Sequence, residues 1–172
     1  MKILIVSQVY WPDMAAVSQI LTDLAEAMVA QGHEVTVLSG RRRYDQPSEQ
    51  FQRDEERGGV RIRRLRMTGF GKRRVLGRLC DFASFNLGLI WRLLRWKRRD
   101  AEVVLGLTSP PLVSFIGVLM ARWKGWKFCY WAMDLQPELA IQAGMIRRNS
   151  LSARVLDRMG RAVFRRADRI VA

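Results

Sequence analysis

Phe128-Cys129-Tyr130-Trp131-Ala132-Met133-Asp134-Leu135-Gln136-Pro137-Glu138 is the stretch on which the reading of this chain turns. The apolar run Phe128–Trp131 reads as a buried strand. Two carboxylates, Asp134 and Glu138, follow directly in a turn stiffened by Pro137. In open α/β sheets, ligands bind just beyond the carboxyl ends of the strands. The segment therefore predicts both a parallel sheet and the edge of it that carries chemistry.

Working outward, apolar runs alternate with helical periodicity. Lys2–Ser7 reads as a buried strand. Val17, Ile20, Leu21, Leu24 and Met28 then recur at helical spacing, with Gly32 where a helix C′ residue belongs. Glu34–Leu38 reads as a second strand. Residues 40–58, polar and holding Pro47 and Gly58-Gly59, read as an exposed loop. Val60, Ile62 and Leu65 mark a basic third strand, and a long helix covers roughly residues 74–97. Val103–Leu107 is strand, Pro110–Trp123 helix, Lys127–Trp131 strand, and Leu151–Arg165 helix with Ser150 as N-cap. A further strand opens at Asp168. This alternation predicts one α/β domain over residues 1–172, a Rossmann-like, mostly parallel sheet with helices on both faces. The apolar strand at residues 168–172 also predicts a partner for this domain, in the same or another polypeptide.

At 49% hydrophobic residues the chain can bury a full core, which excludes wholesale disorder. Cys80 and Cys129 both lie in apolar segments and read as buried, reduced thiols. His33 is the single histidine and no Cys-x-x-Cys occurs, so a metal site is not expected. His33 itself reads as structural, at the start of the second strand. The start of the chain has too short an apolar run for a secretory signal. Val103–Ala121 carries no charge over nearly a membrane-spanning length, but Thr108-Ser109-Pro110-Pro111 cuts it into strand, turn and helix. The formal charge is +14, and residues 60–99 contribute +12 of it, with thirteen Lys/Arg against Asp81 alone. So concentrated a basic surface implies an anionic partner: membrane, nucleic acid or phosphorylated ligand.

The common nucleotide cradles are missing. After the first strand stands Ser7-Gln8-Val9-Tyr10-Trp11-Pro12-Asp13, with no Gly-x-Gly-x-x-Gly, and the second strand ends in Ser39-Gly40-Arg41, without an acid for a ribose. Gly69-Phe70-Gly71-Lys72-Arg73 lacks both the spacing and the Ser/Thr of a phosphate loop. The loop Trp11-Pro12-Asp13-Met14-Ala15-Ala16 offers small residues at a helix N-terminus, where a ligand can approach amides that favour anions. Asp13 can equally serve the helix start alone.

Met1–Val6 followed by Trp11-Pro12, then Leu24-Ala25, then Gln31–Leu38, and finally Asp134-Leu135-Gln136-Pro137-Glu138, resembles the N-terminal domain of family-4 glycosyltransferases of the GT-B fold, in particular the bacterial surface-polysaccharide branch with an Asp-Leu-Trp-Pro-Glu motif. Ala167–Val171 resembles the strand that closes that domain. The resemblance implies one half of a two-domain retaining transferase. This half would bind the acceptor, and a second half, in the same or a partner chain, would bind the nucleotide-sugar donor. It implies Asp134 as the catalytic candidate, orienting or deprotonating an acceptor hydroxyl, in enzymes where the donor phosphate often shares that role. Acceptor-binding candidates are Trp11, Asp13, Ala15, Ala16 and Glu138, the last as a loop-shaping residue. No cofactor is expected. The chain departs from the pattern at Ala15-Ala16 where many relatives have Gly-Gly, at Met133 where many have His, and at Gln136 where Trp is usual.

Projected on a helix, residues 75–99 place Arg78, Asp81, Arg92, Arg95 and Arg99 on one arc, with Phe85 and Trp96 at its border. The apolar remainder is far wider than the ~100° stripe a core-facing helix needs. A basic arc beside surplus Leu, Phe and Trp is the composition of an interfacial helix. Residues 70–99 are thus expected to face a membrane through Arg73, Arg74, Arg78, Phe85, Arg92, Arg95, Trp96, Arg98 and Arg99. The expected setting is the cytoplasmic leaflet, with a polyprenyl-diphosphate-linked acceptor. A nucleic-acid-binding module and a membrane-recruiting subunit of a split transferase are the rival readings. No nucleic-acid motif supports the first, so no nucleic-acid partner is expected.

Overall fold

The computed structural model describes residues 1–172 except 44, 47, 71–74, 109–110, 134–140 and 143–145, and only the backbone of residues 75, 78 and 111. Seven strands form one sheet: β1 (Lys2–Val6), β2 (Glu34–Gly40), β3 (Asp54–Arg57), β4 (Val60–Leu65), β5 (Val103–Leu107), β6 (Lys127–Trp131) and β7 (Arg169–Val171). Their order is β3-β4-β2-β1-β5-β6-β7, parallel throughout except for the antiparallel β3. Alongside them run the α-helices α1 (Ala16–Ala30), α2 (Val75–Arg95), α3 (Pro111–Lys124) and α4 (Leu151–Arg166), with a short 3-10 turn at Arg98–Asp100.

β1 runs through the middle, paired with β2 on one side and β5 on the other. Its side chains alternate between two cores, as the pleat requires. Ile3 and Ile5 join Val35, Val37, Val60 and Ile62 under Leu21 and Ala25 of α1. Leu4 and Val6 face the opposite side, with Leu38 and Leu65, under Phe85, Leu89 and Leu93 of α2, Val113 and Ile116 of α3, and Val163 of α4. Each fully buried aliphatic or aromatic side chain contributes about 1.5–3 kcal/mol. Helices on both faces of a mostly parallel sheet are what the alternating pattern predicted.

Boundaries follow local chemistry. α1 ends where Gly32 takes a positive φ of 82°, and His33 N–H then donates to the Met28 carbonyl at 3.1 Å. Ser150 caps α4, its hydroxyl accepting from Ala153 N–H.

Residues 40–58 correct the expected exposed loop. Gly40 completes β2, Arg42 and Gln50 form an isolated bridge, and Asp54-Glu55-Glu56-Arg57 is a strand. Gly58 and Gly59, with φ of 54° and 77°, turn it back onto β4. An acidic tetrapeptide has little strand propensity. Pairing opposite the basic β4, with Asp54 against Arg63 and Glu56 against Arg61, supplies what propensity does not. Cys80 is exposed on α2, contrary to the expected burial, while Cys129 is half-buried.

Phe128 locks β5 and β6 to α3. A Cβ on Gly106 would lie 2.6 Å from Phe128 Cζ, and one on Gly117 2.9 Å from its Cε2. Gly106→Ala should therefore cost about 1–3 kcal/mol of stability, read as a lower urea midpoint with unchanged slope. Asp168 fixes the start of β7. Its carboxylate accepts from Phe128 N–H at 2.9 Å and pairs with Lys127 at 3.1 Å. The Phe128 amide bond holds its pKa below the ordinary 3.8, with Lys127 adding to the effect. A depressed folded-state pKa stabilises above the ordinary carboxylate value and is lost as pH falls through the folded one. The stability advantage of wild type over Asp168→Asn should be full at neutral pH and shrink progressively below about pH 3.8 in acid-denaturation curves.

Candidate functional site

The strand order reverses direction at β1. β2 and β4 lie to one side, β5, β6 and β7 to the other. At such a switch point the loops leaving adjacent parallel strands diverge to opposite faces and open a crevice at the carboxyl edge. The crevice here is bounded by residues 7–15 after β1, Ser39-Gly40 at the end of β2, Thr108 after β5 and Trp131–Met133 at the end of β6.

The loop after β1 is held from several directions. Ser7 N–H donates to the Leu38 carbonyl at 3.1 Å, and Gly40 N–H to the Gln8 carbonyl at 2.9 Å. A Cβ on Gly40 would sit 2.8 Å from that same oxygen, so only glycine allows β2 to end this close to the loop. Tyr10 lies beneath, buried with Leu21 and Ile62, and burial pushes its phenol up to about 12. It remains neutral, a floor rather than an acid. The Trp11–Pro12 peptide is cis.

Arg64 organises the rim and was not singled out by the sequence. Its side chain is fully buried, on the β4 face opposite Arg63. Nε and Nη2 donate to Glu55 Oε1, Nη1 donates to Ser39 Oγ at 3.2 Å, and Nη2 also donates to the Trp11 carbonyl. Its guanidinium lies 4.5 Å from the Phe51 ring centroid. One cation thus ties β3, β2 and the β1–α1 loop together. Its signal, a lone Arg at an inward position of β4, was hidden within a strand of three arginines and three hydrophobes read together as a basic cluster.

Of the predicted acceptor residues, Trp11 is half-buried with the Arg57 guanidinium 4.5 Å above its ring. Asp13 is buried, and its N–H donates to the Tyr10 carbonyl at 3.1 Å. Ala15 is the N-cap of α1 with no side-chain cap bond, and Ala16 is exposed in its first turn. These four share one loop at the crevice. Asp134 and Glu138 lie outside the described residues, but the chain leading to them is fixed. Thr108 Oγ1 donates to the Trp131 carbonyl at 3.1 Å and accepts from Met133 N–H at 2.9 Å. Met133 and Trp11 both pack against the core that includes Tyr10.

The predicted membrane face needs correction. Phe85 is completely buried and Trp96 nearly so, both in the core under α2. They are the inward stripe of that helix. Arg92 is half-buried against the sheet rather than outward. Arg95, Arg98 and Arg99 are exposed, whereas Arg73, Arg74 and the Arg78 side chain fall outside the described residues. The outward apolar stripe is instead Leu76, Leu79, Leu87, Trp91 and Leu94, all exposed. Composition revealed the surplus, but only the direction of packing separates the two stripes. Leu119 and Trp123 of α3 are exposed as well, and Lys124 donates to the Leu94 carbonyl at 3.0 Å where the two helices end. Among the described residues, no helix is long and apolar enough to cross a membrane, and no cluster of His, Cys, Asp and Glu has the makings of a metal site.

A mostly parallel sheet with a crevice at its switch point defines a Rossmann-like α/β domain. The glycosyl transferase 4-like domain family matches residues 16–172, and the chain belongs to it. Among curated proteins, no relative matches in sequence. Solved structures share the fold. Sucrose-phosphate synthase from Thermosynechococcus elongatus superposes with a TM-score of 0.68 at 13% identity, over 98% of this chain and 41% of that one. The catalytic domain of starch synthase IV from Arabidopsis thaliana, bound to ADP and acarbose, gives 0.54 at 13% identity, over 76% and 33%. Anabaena HepE, in complex with UDP and glucose, gives 0.52 at 16%, over 100% and 38%. The chain thus spans well under half the length of these proteins, and its fold is that of one half of a GT-B glycosyltransferase.

Arg64→Lys keeps the charge but lacks the fork needed to reach Glu55, Ser39 and the Trp11 carbonyl together. It should lower unfolding free energy by about 1–3 kcal/mol and raise amide exchange in residues 8–13, measured by hydrogen–deuterium exchange.

Proposed function

We propose that this chain is the acceptor-binding half of a retaining glycosyltransferase. It would move a sugar from a nucleotide-sugar to a lipid-linked acceptor in cell-surface glycan synthesis. The observation that carries the reading is the Thr108 clamp. It fixes the end of β6 as far as Met133 at the carboxyl edge, next to the crevice. In this reading Asp134 orients or deprotonates the acceptor hydroxyl, and Trp11, Asp13, Ala15, Ala16 and Glu138 shape the acceptor wall. The nucleotide-sugar sits in a second α/β half, in the same or a partner polypeptide. Two of the structural neighbours were solved with ADP or UDP, which supports a nucleotide-sugar donor.

A polyprenyl-diphosphate carrier as acceptor accounts for the surface of α2. Five exposed apolar side chains run along the helix, with Arg95 stacked 3.9 Å over the Trp91 ring and Lys97, Arg98 and Arg99 exposed beyond. A basic amphipathic surface of this kind lies in the headgroup region of an anionic leaflet. Each cation adds about 1 kcal/mol at such a surface before screening. The cytoplasmic face of the inner membrane is where both donor and carrier would be accessible.

With the donor half supplied, Asp134→Asn should lower sugar transfer about 10²–10⁴-fold at unchanged melting temperature; turnover equal to wild type would remove Asp134 from the site. Liposome flotation addresses the membrane face separately. Leu87→Gln, Trp91→Gln and Leu94→Gln together should abolish flotation with anionic vesicles while leaving the far-ultraviolet circular dichroism unchanged.

A further inference from the structure

The sheet face beneath α2 changes character along its strands. Side chains alternate, so β1 presents Lys2, Leu4 and Val6 to this face, β2 presents Glu34, Thr36 and Leu38, and β4 presents Arg61, Arg63 and Leu65. The carboxyl half is apolar and covered by Phe85, Leu89 and Leu93. The amino half is charged. There, where α2 ends, a cavity of about 440 Å³ opens between strands and helix. That is within the ~300–1,000 Å³ range of small-molecule sites.

Five cations line it, Lys2, Arg61, Arg63, Arg92 and Arg95, against the acids Glu34 and Asp100. Both acids have other partners. Glu34 lies 3.8 Å from Arg61, and Asp100 accepts from Lys97 N–H at 2.7 Å. Lys2 is spent on the Arg99 carbonyl and Arg95 on the Trp91 ring. Arg63 and Arg92 remain. Asp54 stands opposite Arg63 across the β3–β4 ladder, but neither arginine has a hydrogen bond or a close ion pair among the described residues, and Arg92 Nε is buried without a partner. A second cavity that shares Arg61, Arg63 and Arg92 is lined by Asp54, Glu55 and Glu56 of β3, of which Asp54 pairs with Arg53 at 3.7 Å and Glu55 with Arg64. Burial, and then the neighbouring Arg63, lower the pKa of Arg92, with Asp54 opposing them. Two guanidinium groups lining one cavity repel each other, Arg92 Nε forgoes its hydrogen bond, and an anion between them offsets both penalties.

We propose that this amino-edge cavity binds a phosphoryl group, held by Arg63 and Arg92 as a paired clamp. The planar fork of each guanidinium matches two phosphoryl oxygens, a geometry a lysine cannot supply. The site lies at the opposite end of the strands from the crevice and is independent of the acceptor reading. Its phosphoryl group can come from a free phosphate or diphosphate in solution, or from a lipid headgroup reached by the outer stripe of the same helix.

Calorimetric titration of the full chain at low salt separates these sources. One arm uses inorganic pyrophosphate, the other short-chain phosphatidylglycerol below its micelle concentration. Saturable binding is expected in at least one arm, and the arm that binds names the source. Arg63→Gln with Arg92→Gln should weaken it at least about tenfold, as expected for losing charge-assisted hydrogen bonds. Arg158→Gln with Arg165→Gln, an equal charge loss on exposed residues of α4, should change it less than about twofold. Each single variant should show part of the effect, and the bound anion should raise the melting temperature of wild type, a readout independent of variant folding. Absence of saturable binding in both arms, an unshifted wild-type melt, or equal losses in the two double variants would overturn the proposal.

Discussion

Everything in this domain hangs on β1 being hydrogen-bonded along both edges. Lys2–Val6 pairs with Glu34–Leu38 on one side, while Ile3–Val6 pairs with Val103–Gly106 on the other. A strand so enclosed has no edge to expose and no face to leave wet, so its two sets of side chains need two separate helix layers. α1 covers Ile3 and Ile5. α2, α3 and α4 contribute to the core around Leu4 and Val6. The chain turns one way to make β2 and the other to make β5, and the crevice is the geometric consequence. The candidate site is therefore a by-product of how the central strand is satisfied.

The crevice rim depends on polar contacts that the parallel sheet does not supply. Arg64 reaches from β4 to β3, β2 and the Trp11 carbonyl, while Thr108 reaches from the end of β5 to both sides of Ala132. A buried cation is tolerated where its donors are satisfied, and removing one partner costs far more than the pair gains. These two side chains convert strand ends into defined loop starts at the rim of the crevice.

The charge of the chain falls into different physical roles according to tertiary position. Arg64 is a buried tie, Arg57 stacks on Trp11, Arg95 stacks on Trp91, and Arg63 with Arg92 line one cavity near the end of α2, where Arg92 Nε is buried without a partner. Net charge alone described all of these as one basic surface. The same holds for α2, whose apolar residues divide between a stripe that fills the core and one that faces solvent.

By itself the sequence determined the elements whose signal is local or periodic: the buried strands, the helix end at Gly32 and helix start at Ser150, the mostly parallel sheet and the family resemblance. Hydrophobic period and cap chemistry are encoded within a few residues, so they survive without tertiary context. Tertiary structure alone decided β3, an acidic strand that exists because β4 is basic, and the burial of Phe85 and Trp96, which turned an expected membrane face inward. It also decided the role of Arg64 and the exposure of Cys80. In each case the deciding partner is distant in sequence. Which face of a helix meets the sheet, and which cation finds a carboxylate, are properties of the assembled packing rather than of any window of residues.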